Sequence, residues 1–447
     1  MERNRCQVQA ESLDEAGCGV GKADGLIVHA ADLLPGEEAE VALEHQSPHR
    51  PEAWGRVLRR IGRASPDRVV PPCPGFGRCG GCVWQHLAYP AQLEAKRARV
   101  IAGLGELATG PRGVAVAPIV PSPDELGYRN KGKYVAAKDG GRLVLGAFAP
   151  RTHAVVDTIG CRVVAPVIDE VAAWVRGAAL AAALEPYDET TRTGELRYVV
   201  IRANAAGDTL VALVVAPGAA PAHLEQVANA VARHPAVRSV VAWENARTDG
   251  AILPHDAQLV LALGPEHLSE HVSGVEVDVG AGEFLQVNRV QAQAMYDRVA
   301  ALANAAPGVR AIDLYAGLGG ITFALARAGA SVHAVEIDPA AVRALTRAAA
   351  RAGLADRVTA TAGDAAAIKR ERPDVLVVNP PRRGLGSARA AVAALGAPTI
   401  IYVSCGPDSL GKDLRVLVEA GWSIDTVEPF DLMPGTPQVE TIVRLVR

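Results

Sequence analysis

The chain has 447 residues, of which 49% are hydrophobic and 21% charged, and its formal net charge is −3. These values are typical of two to four globular domains with sizeable cores. No stretch approaches the ~18 uninterrupted apolar residues of a membrane span, the first residues lack the apolar core of a signal peptide, and the seven irregularly spaced cysteines do not resemble a secreted disulfide framework. We therefore expect a cytoplasmic protein that does not bind membranes.

The charges are unevenly distributed along the chain. Residues 1–44 contain three Lys or Arg against ten Asp or Glu, whereas residues 45–100 contain ten against three and residues 128–151 contain six against one. A basic surface concentrated in this part of the chain suits binding to a phosphate backbone. The alternative is an ordinary solvated surface on which the charge varies locally.

Residues 1–62 alternate short apolar runs with glycine- and proline-containing turns. This pattern is typical of short strands and predicts a small β-barrel. The length suits an appended binding module. Because the segment is mainly acidic, a purely structural module is the alternative.

Three cysteines lie close together in the stretch PPCPGFGRCGGCVWQH. Cys73, Cys79 and Cys82 have the spacing C-x5-C-x2-C, which predicts a metal-binding loop. A fourth ligand must come from elsewhere, and Cys161 is the best candidate. Four thiolates suit either tetrahedral zinc or a cubane iron–sulfur cluster, and the spacing alone favours the cluster only modestly.

Residues 63–280 are predicted to form a central α+β domain. Strand-like runs such as RYVVIRA and TLVALVVA alternate with helical patterns near 166–184 and 220–233. The segment YRNKGKY at 128–134 interleaves basic residues with two tyrosines, a mixture that can hold phosphates and stack bases. An exposed basic strand without that role is the alternative.

A further helical pattern at 84–107 follows the cysteine loop. Its period places Lys96, Arg97 and Arg99 on the exposed side of the helix. We expect this helix to pack beside the metal-binding loop.

Residues 310–338 read RAIDLYAGLGGITFALARAGASVHAVEID, in which a strand runs into GLGG, a helix follows and a second strand ends near Glu336. Gly317, Gly319 and Gly320 allow a tight turn and a close approach to a ligand, and an acidic side chain ending the second strand can accept hydrogen bonds from ribose hydroxyls. Because the glycines depart from G-x-G-x-x-G, the pattern favours S-adenosylmethionine over NAD. A plain tight turn is the alternative.

Polar side chains also follow later strands of this half. Asn379 follows VLVV, and Cys405 follows IIYVS. Ligands of open α/β sheets bind beyond the carboxyl ends of the strands, so these two side chains should share one crevice with Glu336. Strands that alternate with helices through 281–447 predict an α/β domain of Rossmann-like type.

Together these stretches resemble the RumA/TrmA family of S-adenosylmethionine-dependent RNA uracil-5-methyltransferases, from about residue 8 to residue 446. The resemblance is carried by the cysteine loop and by YRNK, FLQVN, DLYAGLGG, VEID, NPPRRG, YVSCGP and FDLMPGTPQVET. It implies a seven-stranded methyltransferase domain and a central RNA-contacting domain. The stretch LPGEEAEVAL at 34–43 is similar to the TRAM domain, a small RNA-binding barrel.

The resemblance also implies roles for single residues. Cys405 matches the nucleophile and Glu440 the base that removes a proton. The residues that match S-adenosylmethionine contacts are Gln286, Tyr315, Glu336, Asp364 and Asn379. The ligands of a [4Fe-4S] cluster are matched by Cys73, Cys79, Cys82 and Cys161, which favours the cluster over zinc.

The implied reaction is covalent. Carbon 5 of uracil is too weak a nucleophile to attack a methyl sulfonium, so addition of the Cys405 thiolate at carbon 6 must first activate the ring. After methyl transfer, Glu440 removes the carbon 5 proton and the thiol leaves. Because only the thiolate reacts, we expect the site to stabilise the anion of Cys405.

The reacting nucleotide has to leave its stack, which favours a loop or another unpaired site in RNA. The predicted cluster and TRAM-like barrel favour large-subunit ribosomal RNA, and the T-loop uridine of transfer RNA is the second candidate. A third interpretation is a non-catalytic RNA-binding iron–sulfur protein, against which the intact Cys405 and Glu440 speak. We expect a monomer.

Overall fold

The computed structural model of the protein describes residues 5–254, 256–368 and 372–447. Residues 1–4, which belong to the predicted barrel, lie outside the described residues. The described chain contains three sheets of six or seven strands and one separate two-stranded hairpin. None of the described helices combines the length and the apolar character that a membrane-crossing helix requires.

The N-terminal sheet forms a small β-barrel, as predicted. Its strands are β1 (Arg5–Gln9), β2 (Ser12–Leu13), β3 (Gly19–Ala23), β4 (Leu26–Ala31), β5 (Glu38–Gln46) and β6 (Glu52–Ile61), in the order β1-β5-β6-β4-β3-β2. The sheet curls until β1 meets β3. There the N–H of Glu11 donates to the carbonyl of Val20 at 2.7 Å, and a Cβ on Gly21 would come 2.0 Å from the Gln9 carbonyl oxygen, so only glycine permits this approach.

The central domain is an α+β unit, as predicted. Two helices, α1 (Tyr89–Leu104) and α2 (Glu106–Thr109), precede the central sheet and pack in the core of the methyltransferase sheet. The elements of the central unit itself are β7 (Lys131–Asp139), β8 (Arg142–Phe148), β9 (Val155–Asp157), α3 (Pro166–Ala181), β10 (Leu196–Ala203), β11 (Thr209–Val215), α4 (Pro221–Val231), β12 (Val237–Glu244) and β13 (Gln258–Leu263). The sheet order is β13-β12-β11-β10-β7-β8-β9. Helices α3 and α4 share one core with the sheet, and every residue of β10 and β11 is buried. A hairpin of β14 (His267–Val272) and β15 (Val275–Gly280) leads out of this domain.

The C-terminal sheet confirms the Rossmann-like, seven-stranded fold. Its elements are α5 (Arg289–Leu302), β16 (Arg310–Leu314), α6 (Gly320–Arg327), β17 (Ser331–Glu336), α7 (Pro339–Arg351), β18 (Val358–Ala362), β19 (Val375–Val378), α8 (Arg389–Ala394), β20 (Thr399–Ser404), α9 (Pro407–Glu419), β21 (Ser423–Phe430) and β22 (Glu440–Val446). The order is β18-β17-β16-β19-β20-β22-β21. The first five strands in that order are parallel, and β22 runs antiparallel between β20 and β21. Consequently β22 starts at the edge where the parallel strands end.

The prediction that Lys96 is exposed on its helix is wrong. Lys96 is fully buried, and its ammonium group lies 2.5 Å from a carboxylate oxygen of Asp431 and donates to the carbonyl of Met433 at 3.0 Å. Helix α1 packs so closely on α9 that a Cβ atom added to Gly411 would come 2.0 Å from the Gly103 carbonyl oxygen. The helix therefore contributes to the core of the methyltransferase sheet.

The YRNKGKY segment is also less exposed than predicted. Tyr128 and Tyr134 are 8% and 3% exposed, so their rings are not available to stack on bases. Tyr134 is buried because β7 lies between β8 and β10 inside the central sheet and its alternate residues enter the core. Tyr128 precedes β7, and its hydroxyl donates to the carbonyl of Pro434 at 3.0 Å. Lys131 is partly buried, and this burial and the nearby Arg202 lower its pKa to about 7. Lys133 is exposed, as predicted.

Candidate active site

A cleft of about 1180 Å³ opens where the five parallel strands end, and Trp243, Leu253, Pro254 and Ala257 of the central domain contribute to its wall. The side chains that the family resemblance assigns to catalysis or to the methyl donor all line this cleft: Gln286, Tyr315, Glu336, Asp364, Asn379, Cys405 and Glu440. The structure therefore brings together residues that are up to 154 positions apart in the printed sequence, from 286 to 440. The role of each of them stays a prediction.

The turn after β16 and the carboxylate at the end of β17 meet at the cleft. Gly317 has φ 54°, a conformation that glycine adopts readily, and Tyr315 has φ 64°. The N–H of Tyr315 donates to the carbonyl of Val335 at 2.9 Å, which holds this less favourable conformation. The carboxylate of Glu336, at the end of β17, accepts hydrogen bonds from the N–H groups of Gly317 at 2.9 Å and Asp338 at 3.0 Å. These bonds fix the carboxylate at the edge of the cleft.

Asp364 and Asn379 follow the next two strand ends. The carboxylate of Asp364 accepts a hydrogen bond from the N–H of Ala366 at 2.9 Å and so begins a short 3-10 helix. The N–H of Asn379 donates to the carbonyl of Leu314 at 3.3 Å, which ties the residue to β16. Asp364 is exposed and Asn379 is partly buried, and both line the cleft, so a ligand can reach them.

Cys405 and Glu440 meet where two antiparallel strands adjoin. Ser404, the last residue of β20, pairs with Thr441, so the next residue, Cys405, lies opposite Glu440 at the start of β22. Burial raises the pKa of the Glu440 carboxyl group to about 7, although an interaction with the amide of Gln286 opposes the rise. Glu440 therefore changes its protonation near neutral pH, as a general base requires.

The expectation that the site stabilises the Cys405 thiolate is wrong for the protein without RNA. Burial raises the pKa of the Cys405 thiol to about 11, and the negative charge of Glu440 acts in the same direction. The guanidinium group of Arg382 acts in the opposite direction and lowers this pKa. We did not single out Arg382 from the sequence, although it belongs to the NPPRRG motif and lines the cleft.

Asp313 is a second residue that the sequence analysis missed. It is 1% exposed, lines the cleft beneath the glycine turn, and accepts a hydrogen bond from the Thr322 hydroxyl at 2.6 Å. Burial raises the pKa of its carboxyl group to about 7, and its other carboxyl oxygen has no hydrogen-bond partner among the described residues. The available signal was an acidic residue inside the otherwise apolar run AIDL.

The four cysteines of the predicted metal site come close enough to influence one another. Burial raises the pKa of Cys82, and the charges of Cys161, Cys79 and Cys73 act in the same direction. A Cβ on Gly81 would lie 3.5 Å from the sulfur of Cys79, so the loop backbone approaches that sulfur. Such a set of thiols next to backbone fits the donors of a four-iron cluster. Within the described ranges, no group of three His, Cys, Asp or Glu residues is arranged to hold a metal ion, and the cluster stays a prediction.

Comparisons with known proteins agree with this architecture. Residues 292–395 match the family described as methyltransferase small domain. The structure of the Pyrococcus abyssi tRNA (uracil-54, C5)-methyltransferase in complex with S-adenosyl-L-homocysteine has the same fold, with a TM-score of 0.77, 23% identity and coverage of 98% of this chain and 100% of that chain.

Two relatives match along their whole length. An uncharacterized RNA methyltransferase of Halalkalibacterium halodurans is 31% identical, covering 98% of this chain and 96% of the relative. An uncharacterized RNA methyltransferase of Thermosynechococcus vestitus is 34% identical, covering 98% of this chain and 97% of the relative. Because the similarity extends through all three domains, the chain belongs to this family of RNA methyltransferases.

Proposed function

We propose that the protein is an S-adenosylmethionine-dependent RNA (uracil-5-)-methyltransferase that forms 5-methyluridine. The observation that carries this proposal is the meeting of Cys405 with Glu440, a carboxyl group whose pKa is about 7, in a cleft that also contains a glycine turn. A thiol beside a titratable base suits covalent activation of a pyrimidine ring. The fold shared with the Pyrococcus enzyme supports the same conclusion.

In this proposal, S-adenosylmethionine supplies an electrophilic methyl group on a sulfonium. The glycine turn lets the donor approach the backbone, and the fixed carboxylate of Glu336 accepts hydrogen bonds from its ribose hydroxyls. Asp364 would contact the adenine, and Asn379, Gln286 and Tyr315, which line the same cleft, would contact the donor as well.

The protein's own groups then act in sequence on the uracil. The Cys405 sulfur forms a bond to carbon 6, and the ring electrons move toward carbon 5, which bonds to the methyl group as the bond between that methyl group and the sulfonium sulfur breaks and leaves a neutral thioether. Glu440, in its ionised form, accepts the carbon 5 proton, and the carbon–sulfur bond breaks to return the thiolate. Because the thiol is protonated in the free protein, we expect it to lose its proton only when RNA fills the cleft beside Arg382.

Large-subunit ribosomal RNA is the proposed substrate, as the cysteine loop and the N-terminal barrel led us to expect. The T-loop uridine of transfer RNA is the second candidate, and it is favoured by the specificity of the Pyrococcus abyssi enzyme, which acts on uracil 54 of tRNA.

We further propose that Cys73, Cys79, Cys82 and Cys161 hold a [4Fe-4S] cluster with a structural role. The cluster would join the loop at 73–82 to the segment after β9, so it takes no part in the methyl transfer itself. Anaerobically purified protein should then contain about four irons and a matching amount of sulfide per chain. Stoichiometric zinc without iron would contradict this assignment.

The proposed activity can be tested with labelled S-adenosylmethionine and transcripts of large-subunit ribosomal RNA and transfer RNA. We expect label in 5-methyluridine after nuclease digestion and mass analysis, and release of tritium from RNA that carries tritium at carbon 5 of uracil. The RNA that loses this methyl group in cells lacking the protein identifies the substrate. Label on another atom or base, or no transfer to either RNA, would overturn the proposal.

A further inference from the structure

The YRNK segment, residues 128–131, lies between two stretches of chain that contribute side chains to the cleft. One stretch leads to Glu440, and the other contains Gln286. On one side, the hydroxyl of Tyr128 donates to the carbonyl of Pro434 at 3.0 Å, six residues before Glu440. On the other side, the side-chain amide of Asn130 donates to the carbonyl of Gln286 at 3.1 Å. The segment is thus placed to set the distance between these two stretches.

Asn130 itself is held firmly in place. It is 3% exposed, its N–H donates to the carbonyl of Val287 at 2.9 Å, and its carbonyl accepts from the N–H of Ala203 at 2.9 Å. With the backbone fixed on both sides, the side-chain amide has little freedom except to meet Gln286. A buried donor on a fixed backbone orients its acceptor more strictly than a solvated one, because no water can replace it.

Gln286 transmits this constraint into the cleft. Only 7% of Gln286 is exposed, and its side chain lines the cleft beside Glu440. Its amide interacts with the Glu440 carboxyl group and opposes the rise of that group's pKa. A shift of the Gln286 backbone would therefore alter both the donor site and the protonation of the base.

We propose that Asn130 is a positioning residue, which holds the backbone of Gln286 so that the side chain of Gln286 meets the methyl donor and Glu440. The proposal rests on the function proposed above. It gives the YRNK motif a role inside the protein, in addition to the phosphate-binding role that the sequence suggested for its basic residues.

The first test measures binding of S-adenosylhomocysteine by calorimetry, without RNA. Asn130→Ala should weaken this binding about 5- to 10-fold, the expected effect of losing one buried hydrogen bond. The matched control is Asn204→Ala, because the Asn204 amide also donates to a backbone carbonyl at 3.1 Å, that of Ser269, away from the cleft. Equal affinity in wild type and Asn130→Ala would overturn the inference, and so would an equal loss in Asn204→Ala.

A double-substitution cycle separates positioning from general loosening of the structure. If Asn130 acts through Gln286, then Asn130→Ala should cause no further loss of affinity in protein that already carries Gln286→Ala. Losses that add in full would show that Asn130 acts elsewhere, and would overturn the inference.

Asn130→Asp keeps the size of the side chain and provides a second variant should Asn130→Ala fail to fold. The buried carboxyl group can donate to the Gln286 carbonyl only while it is protonated, so affinity relative to wild type should be nearly normal at acid pH and fall as pH rises. A ratio to wild type that does not change with pH would contradict the inference.

The wild-type protein separates failure of this inference from failure of the proposed function. If wild type neither binds S-adenosylhomocysteine nor methylates uridine, the proposed function falls and the inference with it. If wild type does both and Asn130→Ala matches it, the inference alone falls.

Discussion

The two ends of the cleft hold glutamates in opposite environments. At the cofactor end, Glu336 accepts hydrogen bonds from two backbone N–H groups and is only partly buried. At the reaction end, Glu440 is buried, and the pKa of its carboxyl group rises to about 7. A carboxylate tied to backbone donors is a fixed acceptor, whereas a desolvated carboxyl group can take up and release a proton near neutral pH. In the proposed reaction, the surroundings rather than the residue type would therefore separate the binding role of Glu336 from the chemical role of Glu440.

The largest expected effect of a substitution lies at the reaction end. Cys405→Ala should abolish methyl transfer and form no covalent adduct, because the ring is never activated. Affinity for S-adenosylhomocysteine should be unchanged, because the residues proposed to bind it lie at the other end of the cleft. Denaturing gels with labelled RNA and calorimetry measure the two properties. Cys6→Ala, which removes a buried thiol in the barrel, is the control and should stay active; methylation by Cys405→Ala would exclude this cysteine as the nucleophile.

Glu440→Gln should slow turnover by about 10²- to 10⁴-fold, the usual contribution of a general base. Since a carboxamide keeps the shape but cannot take the proton, thiol addition and methyl transfer should proceed and the reaction should then stall. Methylated RNA bonded to Cys405 should appear as a slow band on a denaturing gel. Normal turnover without such a band would mean that another group in the cleft is the base.

Glu336→Ala tests the cofactor end. It removes charge-assisted hydrogen bonds to the donor worth ~1.5–3 kcal/mol, so affinity for S-adenosylhomocysteine should fall about 10- to 150-fold. The pH dependence of turnover at saturating donor should stay that of wild type, because Glu440 is untouched. Glu419→Ala, an exposed position at the end of α9, is the control. Unchanged affinity for S-adenosylhomocysteine in Glu336→Ala would show that Glu336 does not bind the methyl donor.

The smallest effect is on stability. The pKa of Glu440 rises from 4.5 to about 7 on burial, so the unfolded chain loses this proton at lower pH than the folded protein. The free energy of unfolding should therefore fall as pH rises from about 4.5 to about 7, because the charged form is disfavoured by folding.

The Glu440→Gln variant has no carboxylate to bury, so it lacks this free-energy cost of burying the charged form. Near pH 8 it should be more stable than wild type by on the order of 1–3 kcal/mol, and near pH 4 the gain should vanish, since one pKa unit corresponds to about 1.4 kcal/mol. Asp313 titrates in the same direction in both proteins, so its contribution cancels. Urea unfolding at both pH values measures the difference, and an equal difference at both would contradict the prediction.

Much of the fold could be predicted because its signals are local. Alternation of apolar strands with helices identified the methyltransferase sheet, and the rule that ligands lie beyond strand ends placed Asn379 and Cys405 in one crevice with Glu336. Glu440 was different. The position of Glu440 in the cleft depends on the antiparallel insertion of β22 between β20 and β21. Only the family resemblance pointed to this residue.

Where prediction failed, the deciding partner is distant in sequence. Lys96 has the local pattern of an exposed helical residue, but its partner Asp431 is 335 positions away. The side chains of the YRNK segment carry charges and hydroxyls that suit RNA, yet Tyr128 and Asn130 face protein carbonyls contributed by residues 434 and 286. The thiol of Cys405 is protonated because of burial, which a motif does not reveal.

The buried ion pair between Lys96 and Asp431 also limits how parts of this chain can be exchanged between relatives during evolution. Recombination at a point between the two positions joins the N-terminal part of one relative to the C-terminal part of another. If one part lacks the matching partner, a single charge is left buried without its counter-ion. Breaking such a pair typically costs about 3–5 kcal/mol, a large part of the stability of an ordinary domain. The stretches around residues 96 and 431 should therefore be inherited together, although 335 positions separate them.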